Sequence, residues 1–165
     1  MQPIVCMITD RHRLDGGDVD RLVERVALAA SAGAHLVQVR ERDLDGGPLL
    51  RLVRRLIEAV RTTSTRILVN DRVDVALAAG AHGVHLRGDS MPAGRVRAMV
   101  PQGFLVGRSV HATDEALRMT AEGGLDYLIC GTVFESRSKP RQASGGVSTL
   151  AEVAAGTAVP VLAVG

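Results

Sequence analysis

Aromatic side chains are almost missing from this sequence, at 2% of residues with no Trp, one Tyr and two Phe. A core of stacked rings is thereby excluded, and the 46% of apolar residues must pack mainly as Val, Leu, Ile and Ala. That composition suits parallel strands buried on both faces beneath helices. Cysteine is scarce too. Cys6 and Cys130 each fall inside an apolar segment and in no metal-type or disulfide-scaffold spacing, so both are expected as reduced core residues.

Nor does one sign of charge dominate. The 20 Lys and Arg are interleaved with 18 Asp and Glu, for a net charge of +2, which removes the electrostatic case for nucleic acid. No apolar run is long enough to span a bilayer. The N-terminus passes directly into "PIVCMIT", without the basic segment and apolar helix of a secretory signal. The expectation is a cytoplasmic protein acting on small molecules, with neither membrane nor nucleic acid as partner. At 165 residues it has the size of one domain.

What the sequence does contain is a rhythm. Seven apolar segments recur: "IVCMIT", "LVQVR", "RILVN", "GVHL", "FLVGRS", "DYLICG" and "VPVLAVG". Each is short and rich in β-branched residues, as parallel strands are. Between them lie amphipathic stretches such as "DVDRLVERVALAASAGA" and "GGPLLRLVRRLIEAVRTT", with apolar residues at helical spacing. The phrases "AGAHLVQVR", "AGAHGVHLR" and "EGGLDYLICG" repeat a helix end, a glycine turn and a strand. Strict β/α alternation predicts an α/β fold, either a barrel or an open doubly wound sheet. Polar residues after nearly every strand favour a TIM (β/α)8 barrel, whose strand ends share one mouth. A barrel needs eight strands, and the seventh segment ends at Gly165. The expectation is therefore a single TIM-barrel domain over residues 1–165, truncated after strand 7 and lacking strand 8 and the last helices. Two unpaired sheet edges would favour association into a homo-oligomer.

The strand ends carry the chemistry. "VQVRER" presents Gln38 and Arg40 on one face by two-residue alternation, with Arg42 just beyond, a fork suited to phosphate or carboxylate. The alternative is that Arg40, Glu41 and Arg42 form surface ion pairs of little worth. "VND" sets Asn70 and Asp71 before the next helix, where Asp71 is either an N-cap or a hard oxygen ligand for Mg²⁺. His85 is expected inside the barrel, and His12, His35 and His82 in turns or at the surface. "GRSVH" offers Ser109 as a phosphate donor and His111 at the start of a helix with Asp114 and Glu115 in its first turn. The long loop "TVFESRSKPRQASGG" holds Thr132, Ser136, Ser138, Lys139 and the pair Gly145-Gly146, a mixture that can wrap an anion.

Taken in order, "MITD", "VQVRER", "VNDRVDVALAAGAHGVHL", "GRSVH", "GTVFESRSKP", "GGVS" and "PVLAVG" resemble the strand-end motifs of the thiamine phosphate synthase and TenI family of TIM barrels. The resemblance runs the length of the chain, and its collinearity is more specific than any one motif. It implies a thiamine-biosynthesis enzyme whose partners are thiazole or pyrimidine phosphates. In the synthase branch, a pyrimidine diphosphate held with Mg²⁺ loses pyrophosphate and is captured by the nitrogen of a thiazole phosphate. That branch maps Gln38, Arg40, Asn70, Asp71, Ser109, Ser136, Ser138, Lys139 and Gly146 onto substrate contacts. Two positions depart from it. Arg42 replaces a Lys, and the second metal-binding Asp falls on Ser90, with Asp89 one place early. The TenI-like thiazole tautomerase branch needs a base and no metal. The missing second Asp resembles that branch, but its catalytic His falls on Thr132, which leaves His111 as the candidate base. The sequence slightly favours this tautomerase reading, with the synthase as the alternative and a non-catalytic phosphate-binding barrel as a third.

Overall fold

The computed structural model describes residues 3–134 and 145–165. These fall into two compact units, one up to residue 85 and one from residue 86 onward. In the first unit the elements are β1 (Cys6–Ile8), α1 (Val19–Ser31), β2 (Leu36–Val39), α2 (Gly46–Ala59), β3 (Arg66–Asn70) and α3 (Val73–Ala79), followed by β4 (Gly83–Leu86) at its boundary. Strand β1 pairs with β2, β2 with β3 and β3 with β4, all in parallel. The second unit contains α4 (Ala93–Arg97), β5 (Leu105–Val110), α5 (Thr113–Ala121), β6 (Tyr127–Cys130), α6 (Gly146–Gly156) and β7 (Val161–Ala163). There β5 pairs with β6 and β6 with β7, again in parallel. All seven strands expected from the sequence are present.

Helix placement follows the apolar spacing. Helix α1 begins after Asp18, whose carboxylate accepts the Asp20 N–H, and buries Leu22, Val26 and Ala30 along one stripe. Helix α2 buries Leu49, Leu52, Val53 and Leu56 in the same manner, and α3 stops at Gly80, which takes a left-handed φ of 72°. Strands β2, β4 and β6 are buried at every residue. In the second unit, Val110, Leu128 and Cys130 pack against Ala116 of α5 and Val153 of α6. Alternation sends Ser109 and Ile129 to the opposite face of the sheet. Cys6 is half-buried and Cys130 buried, and neither forms a disulfide. Burial pushes the Cys6 thiol up to about 11 and raises that of Cys130, so both stay protonated. Among the described residues no helix is long and apolar enough to cross a membrane.

The three repeated phrases share a physical device. His35 Nδ1 accepts the Val5 N–H at 3.1 Å, His82 Nδ1 accepts the Ile67 N–H at 3.0 Å, and Asp126 Oδ2 accepts the Val106 N–H at 2.7 Å. In return the N–H groups of His35, His82 and Asp126 donate to the carbonyls of the same three partners, at 3.0, 2.9 and 2.8 Å. Each pair lies one residue ahead of the first ladder positions, Cys6 with Leu36, Leu68 with Gly83 and Gly107 with Tyr127. A parallel strand has to satisfy the N–H that precedes its ladder, and here a side chain supplies the acceptor. His35 and His82 lie immediately before β2 and β4, and each closes a strand pair.

Two outcomes follow for His82, whose pKa is lowered by burial and then by the Arg66 charge. Replacing it with Leu strands the N–H of fully buried Ile67 and should cost about 1–3 kcal/mol in chemical denaturation. Because the folded protein disfavours the imidazolium, stability is full above the unfolded His value of about 6.5 and falls as pH drops below it. His82→Asp, which copies the third repeat, should keep its acceptor and lose stability only at lower pH.

Candidate active site at the strand ends

In the first unit the polar tips of β1, β2 and β3 are joined by hydrogen bonds. Gln38 is buried in β2, and its Nε2 donates to Asn70 Oδ1 at the end of β3 over 2.9 Å. The buried Gln38 Oε1 has no hydrogen-bond partner among the described residues, leaving an acceptor in the same amide pair. Thr9, at the end of β1, is also buried, and its hydroxyl accepts the Arg40 N–H at 2.9 Å. The Arg40 side chain is half-buried and that of Arg42 exposed, and neither guanidinium forms an ion pair among the described residues. Surface pairing within "RER", the bland alternative, is therefore not what forms.

Glu41 shows why. It is buried, and its two carboxylate oxygens each accept the Arg11 N–H at 3.2 Å, while Arg11 Nη1 donates to Oε2 at 3.1 Å. The same guanidinium forms a two-point pair with Asp43, and its hydrogen bonds hold the Asp43 carboxyl well below the usual carboxylate range. His12 Nε2 adds a contact to Asp43 at 3.2 Å.

Asp71 does not cap α3. Arg72 occupies the N-cap position, with no side-chain cap hydrogen bond, and pairs with Asp74. Asp71 itself takes φ 63°, the left-handed region that Asp tolerates better than most residues, and its N–H donates to the His85 carbonyl at 2.9 Å. His85 is buried in β4 as expected.

In the second unit the tips of β5 and β6 and the start of α6 are linked. Ser109 is half-buried near the end of β5. His111 follows the strand, its N–H donating to Glu115 Oε2 at 2.7 Å, and its Nδ1 bonds the Gly131 carbonyl. A carbonyl only accepts, so Nδ1 carries the proton and Nε2 of the neutral ring keeps its lone pair. Gly131 must be glycine, since a Cβ there would lie 2.4 Å from the Val164 carbonyl oxygen. Thr132 is buried beside it, and its carbonyl accepts the Gly145 N–H at 3.0 Å, which ties β6 to Gly146 at the start of α6. Ser136, Ser138 and Lys139 lie outside the described residues.

Asp89 carries an exposed ion pair. Arg87 engages both of its oxygens, at 2.9 and 2.8 Å, while the Ser90 hydroxyl accepts the Arg87 N–H. Among the described residues no group of three or more His, Cys, Asp or Glu gathers as a metal site. Sequence reasoning also passed over Arg108. It is buried in β5 on the helix-facing side, and it donates to the carbonyls of Gly88, Ser90 and Met91, pinning the loop that carries Asp89. An arginine two residues from each of Val106 and Val110 in an apolar strand was the available signal.

A family model described as thiamine monophosphate synthase matches residues 5–165. The chain belongs to that family. It is 40% identical over 139 residues to a thiamine-phosphate synthase of Methanoculleus marisnigri, covering 84% of this chain and 65% of that protein. It is also 40% identical over 165 residues to the thiamine-phosphate synthase of Anaeromyxobacter dehalogenans, covering 94% and 71%. The chain thus spans about two thirds of the length of the curated relatives it matches. A solved thiamine phosphate pyrophosphorylase from Pyrococcus furiosus superposes with a TM-score of 0.84 at 30% identity, over 98% of this chain and 74% of that one. The fold class is accordingly α/β of the TIM-barrel type, with seven parallel strands.

The His111 arrangement can be checked by substitution. His111→Asn retains an N–H donor near the Gly131 carbonyl and should unfold within about 0.5 kcal/mol of the parent, whereas His111→Ala should lose about 1 kcal/mol.

Proposed function

We propose that this protein is a thiamine-phosphate synthase, joining a pyrimidine diphosphate to a thiazole phosphate with release of pyrophosphate. The observation that carries the reading is the pair of guanidiniums at the end of β2, Arg40 and Arg42, without ion pairs among the described residues, on the strand whose buried Gln38 bonds Asn70. Cations with no ion pair among the described residues suit a polyanionic substrate. The synthase names of the relatives support this branch over the tautomerase that the sequence alone slightly favoured. Thr132 supports it too, since its hydroxyl cannot take up a proton at neutral pH as an imidazole does.

The residues divide the work by chemistry. Arg40 and Arg42 bind diphosphate oxygens, and the orphaned Gln38 Oε1 accepts a hydrogen bond from a donor on the substrate. Ser109 and the Gly146 N–H donate to phosphate oxygens. The Nε2 lone pair of His111 accepts from whichever protonated group the substrates present. Mg²⁺ suits this donor set in a reduced form. In that pattern Asp71 supplies one carboxylate, which suffices for an ion that keeps substrate phosphates among its ligands. When bound, the ion neutralises diphosphate charge and eases departure of pyrophosphate.

The protein incubated with the pyrimidine diphosphate, the thiazole phosphate and Mg²⁺ should form thiamine phosphate. Arg40→Met should raise KM for the diphosphate roughly 10- to 100-fold, as loss of a charge-assisted contact does. Metal-independent isomerisation of a thiazole carboxylate phosphate, with no coupling, would instead establish the tautomerase. Binding without turnover of either kind would establish a non-catalytic barrel.

A further inference from the structure

The sequence "RER" places a carboxylate between two guanidiniums, and the simplest electrostatic outcome would be mutual neutralisation. The structure shows a different pairing. Glu41 is turned into the protein, with its side chain only 1% exposed, and its charge is met by Arg11, itself 12% exposed. Both contacts come from the segment after β1: the Arg11 N–H bifurcates to the two oxygens at 3.2 Å, and Nη1 adds a bond at 3.1 Å. A buried carboxylate needs such a partner, because desolvation would otherwise drive it out or protonate it. Thr9, from the same stretch, holds the Arg40 N–H. The backbone on either side of the Arg40 side chain is thus fixed by residues after β1, while Arg40 and Arg42 keep their charges.

We propose that Arg11 is a positioning residue that sequesters Glu41, so that the Arg40 and Arg42 guanidiniums remain available to an anionic phosphate ligand. The inference rests on reading Arg40 and Arg42 as phosphate contacts, but it concerns anion binding and does not depend on turnover. Without Arg11, Glu41 returns as a negative charge next to two cations, and it either pairs with them or repels the ligand. Asp43 does not substitute for this role, because it is half exposed to water and binds the outer side of Arg11.

The probe is inorganic pyrophosphate, titrated calorimetrically into the parent protein, Arg11→Met, Glu41→Gln and the double variant. Arg11→Met should bind about tenfold more weakly. The double variant, which removes the carboxylate as well, should return to within about twofold of the parent, and Glu41→Gln alone should match the parent. A merely structural role predicts the opposite, since removing both halves of the pair would not restore affinity. A folded Arg11→Met with parental affinity, or a double variant as weak as the single one, would overturn the proposal. Should Arg11→Met fail to fold, the double variant decides alone: parental affinity supports sequestration and weak binding refutes it. A parent that does not bind pyrophosphate also refutes it, whereas a parent that binds pyrophosphate but makes no thiamine phosphate refutes only the synthase reading.

Discussion

The structure depends on how its parallel strands begin. A parallel ladder leaves the N–H ahead of its first rung without a backbone acceptor, and here His35, His82 and Asp126 each supply one. Since each also donates its own N–H to the same residue, the two strands are locked at a single register. Register in a sheet decides face, and a slip of one residue would send Gln38, Asn70 or Ser109 to the wrong side. The polar chemistry at the carboxyl ends is therefore set by contacts at the amino ends.

At those carboxyl ends the protein spends its buried polar groups on orientation. Thr9, Gln38 and Glu41 are buried, and each fixes or pairs with a neighbour on an adjoining segment. In the second unit, buried Arg108 pins the Gly88–Met91 backbone from the helix-facing side, and buried Thr132 holds the Gly145 N–H. Buried hydrogen bonds of this kind are costly to leave half made, so they hold strand tips more firmly than exposed ion pairs do.

Much of this was legible in the sequence. The seven strands, the glycine turns and the amphipathic helices follow from period-two and helical patterning, which buried α/β layers express strongly. The family was legible from the order of its strand-end motifs. Pair identities were not. Nothing local says that Glu41 answers to Arg11, thirty residues earlier, when Arg40 and Arg42 are its neighbours. The repeated phrases announced a shared turn, but not that His and Asp act there as equivalent acceptors, because that equivalence exists only across a strand pair. Asp71 resembled a helix cap in the sequence, yet the chain enters the left-handed region there, two residues before α3 begins, and Arg72 takes the cap position. Nor did the sequence say that Arg87 engages both oxygens of Asp89.

Amide hydrogen exchange resolved by residue tests the strand-start constraint most directly. If side-chain acceptors close the first rung, the N–H groups of Ile67 and Val106 will exchange as slowly as those within their strands, with Val5, which is more exposed, somewhat faster. Rapid exchange at Ile67 and Val106, at the rate of loop amides, would show that these contacts do not hold the strands in register.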